Sequence, residues 1–390
     1  MPDGWRMVQL GEVAQVRKGQ SFTSRDLIVG EIPVIAGGMA PAYYHAYSNR
    51  EANTITISAS GAHAGFVAFH SSPILATDCS TIGEADTHEW IAFIYQVLKH
   101  NQLSLYYRRR GSAQPHVYPE DIGSLRIALP PLPEQHAIAD VLDSIDEAIE
   151  RTEAVIAATE NLHDSLLHEL LTRGVPGWHT EWKDVPGIGT IPADWEVVRL
   201  GEVARVRNGT TPSRKVGAYW VDGTFPFVKT GRVNDVFIRE PDEFITQDAV
   251  ANSGAVVIPE GSVLIAMIGQ GKTRGMAARL GFDAAINQNF AAVYDPDTKL
   301  DLDFFFAYAS HNYLRIRGLG QGSNQDALNC DLIQRMQFAL PPLNEQRVLY
   351  GLIANVGETL SSAKEERDSL CSLKDATADH LLAGRARISR

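Results

Sequence analysis

The feature that most constrains this chain is an internal repeat. Trp5–Gln20 reads WRMVQLGEVAQVRKGQ and Trp195–Thr210 reads WEVVRLGEVARVRNGT, identical at ten of sixteen positions at an offset of 190. Leu129–Gln135, LPPLPEQ, matches Leu340–Gln346, LPPLNEQ, at six of seven positions and an offset of 211. Just upstream, Gly111-Ser112-Ala113-Gln114 is echoed by Gly322-Ser323-Asn324-Gln325 at the same 211. Three matches in one order are a duplication. Each half runs from a Trp…LGEVA segment through a mixed region to a G-S-x-Q loop, LPPL-x-EQ and a long helix. The change of offset makes the second mixed region longer by about 21 residues. The ends of the repeat match better than its middle, as expected if the ends build a shared scaffold and the middles engage different ligands.

The helices are legible from periodicity. Residues 134–173 contain no Gly or Pro, and Pro133 suits a first helical position, where no N–H is needed. Ile138, Leu142, Ile145, Ile149, Ile156, Leu162, Leu166 and Leu170 recur every three or four residues, which predicts one continuous apolar seam. Gly174 and Pro176 stop it. In the second half Asn344 is the expected cap, Leu349, Leu352, Val356, Leu360 and Leu370 carry the seam, and Gly384 ends it. Gly351 and Gly357 weaken its early turns by up to about 1 kcal/mol each. Two helices of matched length, each with one seam, are expected to pair as a coiled coil.

The mixed regions read as α/β or α+β domains. Strand-like runs occur at residues 53–58, 65–69, 256–258 and 262–268, with helical patterns at 89–100 and 303–313. Strand order is not accessible from this pattern. Cys79, Cys330 and Cys371 lie far apart, which suits reduced thiols in the cytoplasm and gives no zinc spacing. No apolar run reaches membrane-spanning length, and the first residues lack a secretory pattern, so neither membrane nor export is expected.

The net charge of −12 is unlike that of a typical nucleic-acid binder, but it is concentrated. Residues 134–173 hold only Arg151 and Arg173 against ten carboxylates, while both mixed regions are near neutral and free to gather basic groups on one face. Catalytic motifs fail on inspection. Gly271-Lys272-Thr273 lacks the first glycine of a phosphate-binding P-loop, since Ala266 stands there. Asp297-Thr298-Lys299 has the spacing of a nuclease D-x-K without a convincing upstream acid, and the histidines form no metal-ligand pattern. No methyl-donor loop or Asn-Pro-Pro-Tyr-like tetrad is present. No metal or catalytic residue is therefore expected.

Binding chemistry is better represented. Arg108, Arg109 and Arg110 precede Gln114 and His116; Arg315 and Arg317 precede Gln325 in the same place. Arginine neutralises phosphates and contacts guanine, while Gln and Asn suit adenine. Ser60 and His63, Lys272 and Arg274, and Asn287 and Asn289 complete the candidate DNA-binding set.

Given twice, the order Trp-x-x-V-x-LGE, variable region, G-S-x-Q, LPPL-x-EQ and long helix closely resembles the specificity subunits of type I restriction–modification systems. Ile191-Pro192-x-Asp194-Trp195 adds to the likeness, which spans essentially the whole chain. The resemblance implies a non-catalytic DNA-specificity protein with target-recognition domains at 1–128 and 177–339 and spacer helices at 129–176 and 340–390. It implies double-stranded DNA, two methyltransferase subunits and restriction subunits as partners. It also places S-adenosylmethionine, ATP and Mg in those partners, with no cofactor in this chain. If the helices run antiparallel, the direct repeat becomes a pseudo-twofold arrangement suited to a split DNA site. The alternatives are a coiled-coil scaffold that reads no DNA and a methyltransferase with an unrecognised catalytic region.

Overall fold

The computed structural model describes residues 2–21, 28–111, 114–269, 271–320 and 328–388. The chain divides into two compact units: Met1–Val155 with Ala363–Arg390, and Ile156–Ser362.

Each unit contains one copy of the repeated LGEV run, which in the second follows a hairpin of strands Trp182–Val185 and Gly189–Pro192. In the first, strand Arg6–Gln9 pairs antiparallel with Arg126–Leu129; in the second, Glu196–Arg199 pairs with Gln337–Leu340. Both opening strands pass directly into one helical turn, Leu10–Val13 and Leu200–Val203. The LGE glutamate caps that turn: Glu12 accepts from the Gln9 N–H at 3.3 Å and Glu202 from the Arg199 N–H at 2.9 Å. Leu10 and Leu200 are wholly buried. Gly11 lies against Gly123, where a side chain would come within 3.3 Å of the Gly123 carbonyl.

The diverged middles share one topology. The first unit has a four-stranded antiparallel sheet in the order Arg17–Lys18, Cys79–Gly83, Thr54–Ser58, Val67–His70. The second unit repeats it as Arg205–Asn208, Phe290–Tyr294, Val263–Ala266, Ala277–Leu280. A second sheet, Tyr43–His45, Ile32–Ile35, Leu75–Ala76, has one antiparallel and one parallel pairing. It recurs as Glu243–Ile245, Phe225–Val228, Ala284–Ile286. The second unit adds an edge strand to each sheet, Phe237–Ile238 and Val257–Ile258. Helix Gln247–Asn252 likewise has no counterpart between strands Tyr43–His45 and Thr54–Ser58 of the first unit.

The long helices are Leu132–Arg173 and Leu343–Leu381. At about 1.5 Å per residue, the 42 residues of the first span roughly 63 Å. Each begins where a proline carbonyl takes the first four-residue bond, Gln135 N–H to Pro131 at 3.1 Å and Gln346 N–H to Pro342 at 3.0 Å. Asn344, expected as the cap, therefore lies inside the first turn, and Pro342 holds the cap position. Pro133 is likewise the second residue of its helix, still among the positions that need no N–H. Gly174, at φ +77°, ends the first helix; the second stops at Leu381, before Gly384.

Within the first unit the helices run antiparallel. Lys374 Nζ lies 2.5 Å from Asp146 Oδ1, and Arg387 Nη2 lies 3.1 Å from Glu134 Oε2. Ile138 and Leu142 share a core with Trp5, Phe93 and Leu381. The second unit has the same antiparallel pairing, with Leu349 and Ile353 packed in one core with Leu170, Leu171 and Trp195. Along the seams Ile138, Leu142, Ile156, Leu170 and Leu349 are buried. Ile145, Ile149, Leu166, Val356, Leu360 and Leu370 are half-buried, and Leu162 and Leu352 are exposed.

A buried joint fastens each domain to its helix. Trp5 Nε1 donates to Glu134 Oε2 at 3.0 Å, and Trp195 Nε1 donates to Glu345 Oε2 at 3.0 Å. The neighbouring glutamines act in parallel. Gln135 donates to the Pro130 carbonyl at 2.9 Å and accepts from the Trp90 N–H at 2.9 Å. Gln346 donates to the Pro341 carbonyl at 2.8 Å and accepts from the Asp301 N–H at 2.8 Å. Trp90 and Asp301 stand immediately before helices Ile91–His100 and Leu302–His311, so one glutamine fixes the start of two helices. The joints differ in what else meets the acid: Arg387 in the first unit, His179 at 2.7 Å and the Val175 N–H at 3.1 Å in the second.

Replacing Glu345 by Ala strands the Trp195 and Val175 N–H groups in a site that is almost fully buried. We expect a loss of about 2–4 kcal/mol, read as a lower melting temperature. Arg335→Ala, which removes an exposed pair with Asp331, should change stability by less than about 0.5 kcal/mol.

Candidate nucleic-acid interface

The candidate residues, scattered in sequence, gather on equivalent loops. Ser60 and His63 lie in the connection between strands Thr54–Ser58 and Val67–His70. Lys272 and Arg274 lie in the connection between Val263–Ala266 and Ala277–Leu280, the corresponding hairpin. This placement, between two antiparallel strands, is not the strand-to-helix turn that a P-loop needs. Each hairpin ends on a glycine in the left-handed region, Gly65 at φ +87° and Gly275 at φ +88°.

Arg108–Arg110 follow the short helix Gln102–Tyr107, whereas Arg315 and Arg317 lie within its counterpart Tyr313–Gly318, and both segments reach back to the hairpins. Arg109 Nε donates to the Ala64 carbonyl at 2.6 Å, and Arg317 Nη1 donates to the Arg274 carbonyl at 3.2 Å. Tyr313 adds a hydroxyl bond to the Lys272 carbonyl. In the first unit the Gly61 N–H donates to the Pro115 carbonyl at 3.0 Å, and Ser60 forms a backbone bridge with His116. In each unit, hairpin and arginine segment thus form one surface.

Several arginines are committed within the fold. Arg108 donates to Ser124 Oγ at 2.9 Å; Arg109 also lies over the Tyr106 ring at 4.0 Å. Arg110 pairs with Asp121, whose side chain is largely buried, and lies over Tyr118. Arg315 donates to the Tyr308 hydroxyl at 2.6 Å and to the Gln337 carbonyl at 2.8 Å. Arg274 is half-buried, and its Nε has no partner among the described residues. His63, Gln114 and Lys272 are exposed, and His116 stacks beside Tyr118. Gln325 lies outside the described residues.

Asn287 and Asn289 occupy the turn before strand Phe290–Tyr294. Asn287 Oδ1 accepts from Thr230 Oγ1 at 2.8 Å and from the Asn289 N–H at 3.2 Å. The corresponding turn of the first unit, Thr77 and Asp78, was not singled out by motif. Ser60 Oγ donates to Asp78 Oδ2, bringing that carboxylate onto the same surface. Beside it Cys79 is not a nucleophile: burial pushes its thiol up to about 12. The Asp297-Thr298-Lys299 segment is structural, with Lys299 Nζ 2.9 Å from Glu196 Oε2. Among the described residues no group of three or more His, Cys, Asp or Glu could hold a metal ion, and no helix is long and apolar enough to cross a membrane.

A duplicated α/β unit, bonded to a long helix and presenting a variable loop surface, defines a class of modular specificity proteins. Residues 2–160 and 192–370 match the family described as "Type I restriction modification DNA specificity domain", and the chain belongs to that family with two copies of the domain. The MjaVIII specificity subunit of Methanocaldococcus jannaschii is 23% identical over 409 residues, spanning 100% of this chain and 94% of the relative. The EcoR124I/EcoR124II specificity subunit of Escherichia coli is 21% identical over 174 residues, 44% of this chain and 43% of the relative. The type I restriction–modification S subunit of M. genitalium has the same fold, with a TM-score of 0.68 at 16% identity over 99% of this chain and 97% of that one. A structure described in terms of complex assembly of the type I system gives 0.54 at 18% identity, over 98% of each chain.

Arg110→Ala should lower stability by about 1 kcal/mol, because among the described residues Asp121 then keeps its bond from the Tyr118 N–H alone. Thermal melting beside DNA affinity checks this: an unchanged melting temperature with weakened binding would assign Arg110 to DNA instead.

Proposed function

We propose that this chain is the DNA sequence-specificity subunit of a type I restriction–modification complex. The observation that carries the reading is that two domains of one topology, held by the same buried joint, present different side chains on equivalent loops. A scaffold without DNA reading has no use for that difference, and the family match favours a specificity role over scaffold or methyltransferase. Residues 1–128 and 177–339 act as target-recognition domains for the two halves of a split site, and segments 129–176 and 340–390 set the spacing. The chain carries out no chemistry itself. Two methyltransferase subunits supply adenine methylation from S-adenosylmethionine, and restriction subunits supply ATP- and Mg-dependent cleavage in the cytoplasm. The acidic first helix suits contact with these proteins better than contact with phosphate.

Co-expression with the partner methyltransferase in a methylation-free host, followed by genome-wide mapping of modified adenines, tests this. The expected result is one split motif, with loss of modification when either recognition domain is deleted. The purified chain alone, given DNA and labelled methyl donor, should transfer nothing. A stable complex that modifies no site would overturn the reading in favour of a scaffold.

A further inference from the structure

The loop surface of the first unit carries a group that DNA phosphates would repel. Asp78 lies between strands Leu75–Ala76 and Cys79–Gly83, on the wall of a cleft of about 470 Å³ that Lys18 and His116 also line. Among the described residues it is the one carboxylate lining that cleft. A carboxylate brought up to a polyanion is unfavourable unless it meets hydrogen-bond donors there. Base edges supply such donors, and phosphates do not.

Ser60 Oγ donates to Asp78 Oδ2 and so orients the carboxylate. No other donor reaches that carboxylate among the described residues, which leaves Oδ1 to accept. In the major groove cytosine offers its N4 amino group, while the paired guanine offers the N7 and O6 acceptors. An acceptor and an ammonium on one cleft match that pair. Adenine also has an amino group, but its N7 acceptor sits beside it and would oppose a carboxylate.

The second unit supplies an internal control. Lys18 corresponds to Asn208 at the offset of 190. Asp78 corresponds to Asn289, since the Ala59 N–H donates to the Asp78 carbonyl as the Met267 N–H donates to that of Asn289. Gln288 is the extra residue of this turn, and its Oε1 accepts from Thr211 Oγ1 at 2.7 Å. The backbone arrangement is repeated while acid and base are exchanged for amides. A group needed only to hold the turn has no reason to change in this way.

We infer that Asp78, oriented by Ser60, reads the cytosine of a C·G pair in the half-site of the first domain, with Lys18 on the paired guanine. The inference rests on the DNA-reading function proposed above. The test is methylation mapping with the full chain and its partner methyltransferase, comparing wild type with Asp78→Asn and Lys18→Ala. Preference at one C·G position of the first half-site should fall about tenfold, with the second half-site unchanged. Such relaxation in either variant supports the assignment. A motif unchanged in both variants, or methylation lost in both, overturns it. A wild-type complex that yields no split motif overturns the DNA-reading function itself, whatever the variants do.

Discussion

The hydrogen bond from an indole to a buried carboxylate is the contact on which each half of this protein depends. Trp5 with Glu134, and Trp195 with Glu345, join the residue before a repeated strand to the first turn of a long helix across more than a hundred residues. A buried carboxylate is costly unless its oxygens are filled, so Arg387 meets Glu134, and His179 with the Val175 N–H meets Glu345. The adjacent glutamine then ties the helix to the start of a domain helix. The result is a buried, hydrogen-bonded connection from domain to helix, which the proposed spacing role of the helices would require.

Legibility in the sequence followed the range of the interactions. The long helices were readable because their seams repeat every three or four residues, whatever lies elsewhere. The strands, mostly two to five residues long, pair with partners tens of residues away, so their order had no local signature. The common topology of the two middles was equally hidden, because backbone pairing tolerates almost any alternation of apolar side chains. Glu134 and Gln135 did leave a trace. Two polar residues kept in a motif that opens an apolar-striped helix signal buried bonding, although their partners could not be named.

The candidate surface was partly legible for the same reason. Clustered arginines and polar turns drew attention to loops that the fold brings together, but not to how each side chain is used. Arg109 donates to the Ala64 carbonyl and Arg110 pairs with Asp121, contacts no local pattern encodes. Asp78 went unnoticed because a single acid in a turn is ordinary. It acquires meaning only beside Ser60, 18 residues away, and in a cleft that Lys18 also lines.

The division of the chain into units also bears on how it is made. The second unit, Ile156–Ser362, is one uninterrupted segment, whereas the first needs Ala363–Arg390 to complete its core and to bring Arg387 to Glu134. During synthesis at about 5–20 residues per second, the roughly two hundred residues between take about 10–40 s to emerge. The domain translated first is therefore the one finished last. Through that interval its acidic helix and apolar seam await their complement, Ala378, Leu381 and Leu382.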